Sequence, residues 1–535
     1  MLPASAHESV HARHGVVAAP HALAVEAGRQ VLEEGGNAIE AALAAAATVA
    51  VVYPHMNHLG GDGFWLIREP SGRVRYLEAC GLAGREASIA HYRDLGHEAI
   101  PFRGPLAALT VPGAVGGWGL ALEAARAHGG RMTLPRLLET AVRYAREGSP
   151  VTGSQARLTA EKADELRDAP GFAEVFLPGG RVPAPGTPLR QERLADTLEH
   201  LARAGLEDFY RGDVGRELGA DLERIGSPVR REDLVAFAAR ERPPLRVSLP
   251  QGEVFNAPPP TQGLASLLIL GLFARLKNEG AETFSHIHGL VEATKQAFLV
   301  RDTVVCDPDR VTADLGRLLS APDIDARAAR IDPARALPWP RRAQPGDTIW
   351  LGAADASGLV VSYIQSIYFE FGSGCVLPAT GVLMQNRGAS FSLDPKALNA
   401  LAPGRRPFHT LNPALAVLKD GRVMGYGTMG GEGQPQTQAA VFTRHVLFQV
   451  PLGEAIARPR WLLGRTWGAA ETRLRLESRF EEGLVARLEA AGHDLVVLPE
   501  AYSDTMGHAG AVVLHARGGL EGAHDPRADG GAAGA

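Results

Sequence analysis

Gly346-Asp347-Thr348-Ile349-Trp350-Leu351-Gly352-Ala353-Ala354, the turn Asp355-Ala356-Ser357-Gly358 and the apolar run from Leu359 to Ile367 form the stretch on which the fold turns. Two strand-like segments joined by a short Asp/Ser/Gly turn predict a β-hairpin. Upstream, Pro322, Pro333, Pro338, Pro340 and Pro345 punctuate residues 321–347 and predict an irregular, mobile approach to it. Immediately downstream lies Gln365-Ser366-Ile367-Tyr368-Phe369-Glu370-Phe371-Gly372-Ser373-Gly374.

Working outward, the segment after the hairpin predicts strands at Gly381–Met384, Ala414–Leu418 and Val423–Gly427, with helices near Gln436–Leu447 and Phe480–Ala491. The Gly/Ala tail from Gly530 to Ala535 reads as loose. On the N-terminal side a helical run from about Ala22 stops at Gly35-Gly36, a C-cap signal. Asn37 with Glu40 three residues on predicts a capping box for an Ala-rich helix ending at Tyr53-Pro54. A glycine loop (Gly60, Gly61, Gly63), a strand at Phe64–Arg68, helices such as Leu134–Arg146 and Arg193–Ala204, and a strand near Val254-Phe255 follow. The length of 535 residues alone suggests several domains, but this interleaving of helices with a strand-rich middle favours one layered α/β body.

Composition narrows the function. The 55 basic and 60 acidic residues nearly cancel, which gives no reason to expect nucleic acid or an anionic membrane as partner. Cys80, Cys306 and Cys375 form no CxxC pair and no even framework, so a reducing, cytoplasmic setting fits. The most apolar run, Ala41–Val52, is too short to span a bilayer and reads as a buried helix, and residues 1–20 lack a signal-peptide core. Gly425-Tyr426-Gly427-Thr428-Met429-Gly430 matches GxGxxG, but no acidic residue stands where a ribose would need it and no βαβ run surrounds it. His55-Met56-Asn57-His58 lacks a third ligand, and a loop histidine pair is the plainer reading. No metal or cofactor is expected.

Ordered motifs over most of the chain carry a family resemblance. These are Gly36-Asn37-Ala38-Ile39-Glu40-Ala41-Ala42, Tyr53-Pro54-His55, Gly60-Gly61-Asp62-Gly63-Phe64, Val111-Pro112-Gly113 with Gly117-Trp118, Phe209-Tyr210-Arg211-Gly212 and Pro259-Pro260-Thr261-Gln262-Gly263. The second half adds Phe371-Gly372-Ser373-Gly374, Gly381-Val382-Leu383, Asn412-Pro413 and Gly430-Gly431. The whole resembles the γ-glutamyltranspeptidase family of N-terminal-nucleophile hydrolases. That resemblance implies a four-layer αββα sandwich and a precursor cut between Asp347 and Thr348. The large fragment would be residues 1–347 and the small one 348–535, the two intertwined in one fold. Thr348 would be the nucleophile, Gly430 and Gly431 the oxyanion hole, and Ser366 the hydroxyl bonded to the nucleophile's amine.

The chemistry suits such a cut. A threonine hydroxyl needs an adjacent base, and a terminal threonine carries one in its own α-amine, whose ordinary pKa is about 7.7–8.0. In an uncut chain that nitrogen is an amide and cannot serve.

The resemblance departs from the transpeptidases where they hold glutamate. Cys80 stands in place of their arginine, Tyr368 of their asparagine, Ser390 of their acidic amine-binder, and His409-Thr410 of their serine pair. The segments Gln385–Phe391, Arg406–Pro413, Gly433–Gln438, Arg458–Trp467 and Met506–Gly510 instead resemble the family's oxamate amidohydrolase branch. This implies a small carboxylate-bearing amide as substrate, with Arg387 to grip the carboxylate and Tyr368, His409, Thr410 and Ser390 around it. A γ-glutamyl or glutathione hydrolase, a glutaryl (cephalosporin-type) acylase, and an uncut, silent binding protein stay open as alternatives. So does assembly into a homo-oligomer.

Overall fold

The computed structural model describes residues 8–339, 347–464 and 473–535; of Asp347 only the backbone is described. The predicted hairpin lies at its centre. Asp347–Asp355 and Val360–Tyr368 pair antiparallel from Ile349↔Gln365 to Ala354↔Val360. Both arms are buried. Ile349, Leu351 and Ala353 join one core cluster, while Trp350 and Ala354 join another on the opposite side. A strand covered on both faces must be apolar at successive positions, which is how this hairpin reads.

Two seven-stranded sheets result. One has the order Gly531–Gly534, Gly15–Ala19, Asp347–Asp355, Val360–Tyr368, Asp62–Arg68, Val74–Ala79 and Arg240–Arg242. The other has the order Val10–Ala12, Leu520–His524, Ala509–Leu514, Val423–Thr428, Ala414–Leu418, Gly252–Asn256 and Leu245–Leu249. Strands from both sides of Thr348 enter both sheets, so the several domains that length suggests are replaced by one layered body.

Between the sheets lie Val16, Phe64, Leu66, Trp350, Ile364, Leu415 and Val512. The Trp350 ring is seated by glycines opposite. A Cβ at Gly427 would approach it to 2.1 Å and one at Gly510 to 2.3 Å. Gly427, one glycine of the GxGxxG spacing, therefore serves sheet packing. Helices cover the outer faces. Ala38–Val52 and Ala114–Ala127 lie on the first sheet, and Gly263–Phe273 and Gln434–Phe442 on the second. The architecture is a four-layer αββα sandwich.

The Ala38–Val52 helix is buried at all of its positions, between the hairpin sheet and the helices Ala22–Glu33 and Leu134–Glu147. Small side chains all round let these neighbours close in, and its start carries the expected Asn37–Glu40 capping box. Among the described residues no helix is long and apolar enough to cross a membrane.

Three local expectations fail. Residues 321–339 are not irregular throughout: Ala321–Ala328 is a helix with Pro322 in its first turn, where a missing N–H costs nothing, and Leu337 is held at both backbone groups. The remainder of that expected irregular segment, residues 340–346, lies outside the described residues, as does the 465–472 part of the quoted Arg458–Trp467 motif. Gly381–Met384 forms no strand. It begins with Gly381 at φ 68° and makes only isolated bridges, Val376↔Leu383 and Gly60↔Met384. The Gly/Ala tail is not loose: Gly531–Gly534 pairs with Gly15–Ala19 from Gly531↔Ala19 to Gly534↔Val16. Ladder pairing uses backbone groups only, so an edge strand can be made without large side chains.

Candidate active site

The hairpin carries one irregularity, at Thr348. The ladder steps from Asp347↔Tyr368 to Ile349↔Gln365, so Ser366 and Ile367 together oppose the single residue Thr348. This is a β-bulge, a device that re-aims side chains beside a site. Tyr368 leaves the bulge at φ 85°, a left-handed conformation that a bulky side chain takes up only under constraint from its surroundings. Ser366 Oγ accepts from the Tyr368 N–H at 2.7 Å and so braces that turn.

Thr348 is fully buried, and its Oγ1 accepts from Gln434 Nε2 at 3.2 Å. Gln434 is itself fixed, its Oε1 taking the Asn412 N–H at 3.2 Å and Asn412 Nδ2 at 3.1 Å. It opens the Gln434–Phe442 helix, directly after the turn Gly431–Gly433. Gly430 (φ 116°) and Gly431 (φ 53°) take left-handed conformations that place this turn beside the hairpin. Their N–H groups stand at the start of a helical run, where no intrahelical acceptor exists.

A second group of residues, the second wall, meets the hairpin at Tyr368. Arg387 is fully buried, with its guanidinium 3.8 Å from the Tyr368 ring centre. Its Nη1 donates to Thr410 Oγ1 at 3.1 Å, whereas Nε and Nη2 have no partner among the described residues. These two form one edge of the guanidinium, the parallel fork that matches a carboxylate. Burial draws Arg387 down to about 10 against the pull of Tyr368, Asp62 and Cys80. Burial raises Tyr368 to about 12 and the Cys80 thiol well above its ordinary value, so both stay neutral near pH 7.

Beside Arg387, His409 Nε2 lies 2.8 Å from Asp62 Oδ2. Burial, and then the nearby Arg387 cation, lower His409 to about 4. The ring is therefore neutral, Nε2 carries the proton, and Nδ1 is a buried acceptor without a partner. Asp62 Oδ1 also accepts from the Gly81 N–H (3.0 Å), the Gly113 N–H (3.1 Å) and Gln385 Nε2 (3.1 Å). Ser390 turns its hydroxyl to the Phe408 carbonyl at 3.0 Å and holds that loop. Gln262 ties the walls together, its Nε2 donating to the carbonyls of Thr410 (2.8 Å) and Gly431 (2.7 Å).

A buried hydroxyl and a buried cationic fork are thus linked through Tyr368, at the end of the hairpin, and through Gln262, which joins the Thr410 and Gly431 carbonyls. Asp62, Gln262 and Gln434 are parts of this arrangement that the sequence reading did not single out, although each lies inside a motif it quoted. A carboxylate or amide within a glycine- or proline-rich motif was the available signal.

The gamma-glutamyltranspeptidase family profile matches residues 24–535. The chain belongs to that family. Among curated relatives, the oxamate amidohydrolase proenzyme of Klebsiella pneumoniae is 54% identical over 529 residues, covering 99% of this chain and all of the relative. The glutathione hydrolase-like YwrD proenzyme of Bacillus subtilis is 40% identical over 99% of this chain and all of its own length. Among solved structures, the cephalosporin acylase of Bacillus halodurans superposes with a TM-score of 0.91 at 32% identity, covering 100% of this chain and 98% of that one. As a family member the chain is an amidohydrolase on the N-terminal-nucleophile αββα fold. Both of these curated relatives carry proenzyme names, which fits a precursor made as one chain.

Proposed function

We propose that the chain cuts itself between Asp347 and Thr348 and that the small fragment so begun hydrolyses the amide of a small carboxylate-bearing substrate, oxamate first. The freed α-amine of Thr348 takes the hydroxyl proton as Oγ1 attacks the amide carbonyl. The N–H groups of Gly430 and Gly431 receive the oxyanion, and Ser366 orients the amine. The C–N bond breaks, ammonia leaves with the transferred proton, and an acyl ester remains on Thr348. Water then attacks the ester, which restores the hydroxyl and releases the second carboxylate.

The observation that carries this reading is the Nε–Nη2 edge of Arg387, a buried fork with no hydrogen-bond partner among the described residues, while the nearby Asp62 carboxylate is taken up by His409, Gly81, Gly113 and Gln385. Oxamate carries its carboxylate on the carbon next to the amide, so a grip on the carboxylate also places the scissile bond. His409, Thr410 and Tyr368 line the same wall, and neutral His409 Nδ1 is an acceptor suited to the amide N–H. The 54% identity to an oxamate amidohydrolase proenzyme supports the same choice. A second reading, a γ-glutamyl or glutaryl amide hydrolase, draws on the glutathione hydrolase-like and cephalosporin acylase relatives. Against it stand Cys80, Tyr368 and Ser390 at the positions where the transpeptidases grip a glutamyl group.

A substrate panel on the matured protein tests the choice. Ammonia release from oxamate well above that from glutamine, with no thiol-peptide cleavage from glutathione, is expected. Faster turnover of glutathione or a glutaryl amide would reverse the order of the two readings. A single uncut species after long incubation, seen by intact mass, would remove both.

A further inference from the structure

Away from the site, three buried residues on one face of the Phe284–Val304 helix take hold of the chain shortly before Thr348. They are His288, Glu292 and Lys295, spaced i, i+4 and i+7. His288 Nε2 lies 2.8 Å from the Asp332 carbonyl. Glu292 Oε2 accepts from the Leu337 N–H at 3.1 Å, and Lys295 Nζ donates to the Leu337 carbonyl at 2.7 Å. Glu292 and Lys295 also pair with each other at 2.6 Å. The far side comes from beyond Thr348. His493 Nε2 lies 2.9 Å from His288 Nδ1, and the Ala336 N–H donates to the Ala491 carbonyl at 2.8 Å.

The two polar contacts at Leu337 are to its backbone, and the residue is 38% exposed. Packing enters on either side of it, at Ile331 and Trp339. A buried ion pair is a costly way to fix a coil unless its position matters, since desolvation opposes it and apolar packing would serve stability as well. The acid and the base each take one group of the same peptide unit, so the pair also sets the direction in which the chain runs. His288, Glu292 and His493 offer donor atoms within 4.8 Å of one another, as in a metal site, but the Lys295 ammonium already neutralises Glu292 there.

We propose that Glu292 and Lys295 are positioning residues for self-processing: they clamp the backbone at Leu337 against residues 491–493 and so set where the chain enters the cleavage point. The inference rests on the self-cleavage reading above. After the cut the same clamp keeps the end of the large fragment docked on the small one.

The test uses the full-length chain, freshly made, with cleavage followed by intact mass. Leu337→Pro removes the N–H that Glu292 holds while leaving the ion pair whole. Residue 337 precedes Pro338, so its backbone already favours the extended region that proline accepts. The double substitution Glu292→Gln/Lys295→Met removes the pair. Cleavage slowed about tenfold in both variants is expected, with kcat and KM of the matured fraction within twofold of wild type. Hydrogen exchange of a peptide spanning 332–338 should quicken in both. Wild-type cleavage rates in Leu337→Pro despite faster exchange would overturn the clamp. Slowed cleavage with an equal fall in kcat would also overturn it, by showing a general loss of structure. If the wild-type chain itself stays uncut, the self-cleavage reading fails and takes this one with it.

Discussion

The two walls of the site are built in opposite ways. The Thr348 wall is mostly backbone: a bulged hairpin, a pair of left-handed glycines and a helix start, with Gln434 fastened at both ends of its amide. The Arg387 wall is mostly side chain, and among the described residues it leaves groups without a partner: two guanidinium nitrogens, one imidazole nitrogen and the Gln385 amide oxygen. Unpaired polar groups are expensive when buried; they occur elsewhere among the described residues too, at His58 Nε2 and both ring nitrogens of His524, and what sets the Arg387 wall apart is a cationic fork among them. The difference suggests a division of labour, with reaction chemistry on the rigid wall and substrate choice on the unsatisfied one.

The sharpest way to break this comparison is Thr348→Ala. It should leave the chain uncut and lower amide hydrolysis by at least about 10³-fold, since nucleophile and base vanish together. Residual fragments of the expected masses would mean that the cut lies elsewhere.

Next is acid stability, which belongs to the Arg387 wall. His409 sits at about 4, below its ordinary 6.5, so as pH falls the unfolded chain takes up a proton first. Its contribution is complete above about pH 6.5 and is lost as pH falls to about 4, a difference on the order of 3 kcal/mol. His21 and His58, also lowered to about 4 by burial, act in the same direction. Urea unfolding at pH 7.5 and 4.5 should show a large loss in the wild type and a smaller one in His409→Asn. Equal losses in the two proteins would show that His409 is charged in the native state.

Arg387→Ala should raise KM for oxamate tenfold to a hundredfold, about 1.4–2.8 kcal/mol, with little change in the self-cleavage rate. Arg387→Lys should not restore affinity, because a point charge lacks the fork. An unchanged KM in Arg387→Ala would move carboxylate recognition off this wall. The smallest effect is expected from Tyr368→Leu, which removes the ring under the guanidinium. A loss of about 0.5–1 kcal/mol in substrate affinity is the expected range, and Tyr368→Phe should lose almost none.

The legibility of the site follows the same division. Local pattern revealed the hairpin, the Asn37–Glu40 capping box and most helix bounds, because turn and cap chemistry are properties of adjacent residues. It missed the strand at Gly531–Gly534, whose pairing is written in a partner over five hundred residues away rather than in its own side chains. It also proposed a strand at Gly381–Met384, where apolar content concealed a left-handed glycine. Thr348 and Arg387 could be named from motifs. That Asp62 would set the His409 tautomer and that Gln434 would reach Thr348 depend on contacts 347 and 86 positions apart, and the open edge of Arg387 depends on which groups the fold brings around it.

The pairing of Gly531–Gly534 with Gly15–Ala19 has a practical corollary. That N-terminal strand is the direct neighbour of Asp347–Asp355, so the last few residues cap the sheet two strands from the one that carries Thr348. Trimming them would bare a flat row of amides and carbonyls to a second molecule's sheet. Engineered handles are better fused at the other terminus, and a sample shortened during storage would be expected to precipitate before its chemistry fails.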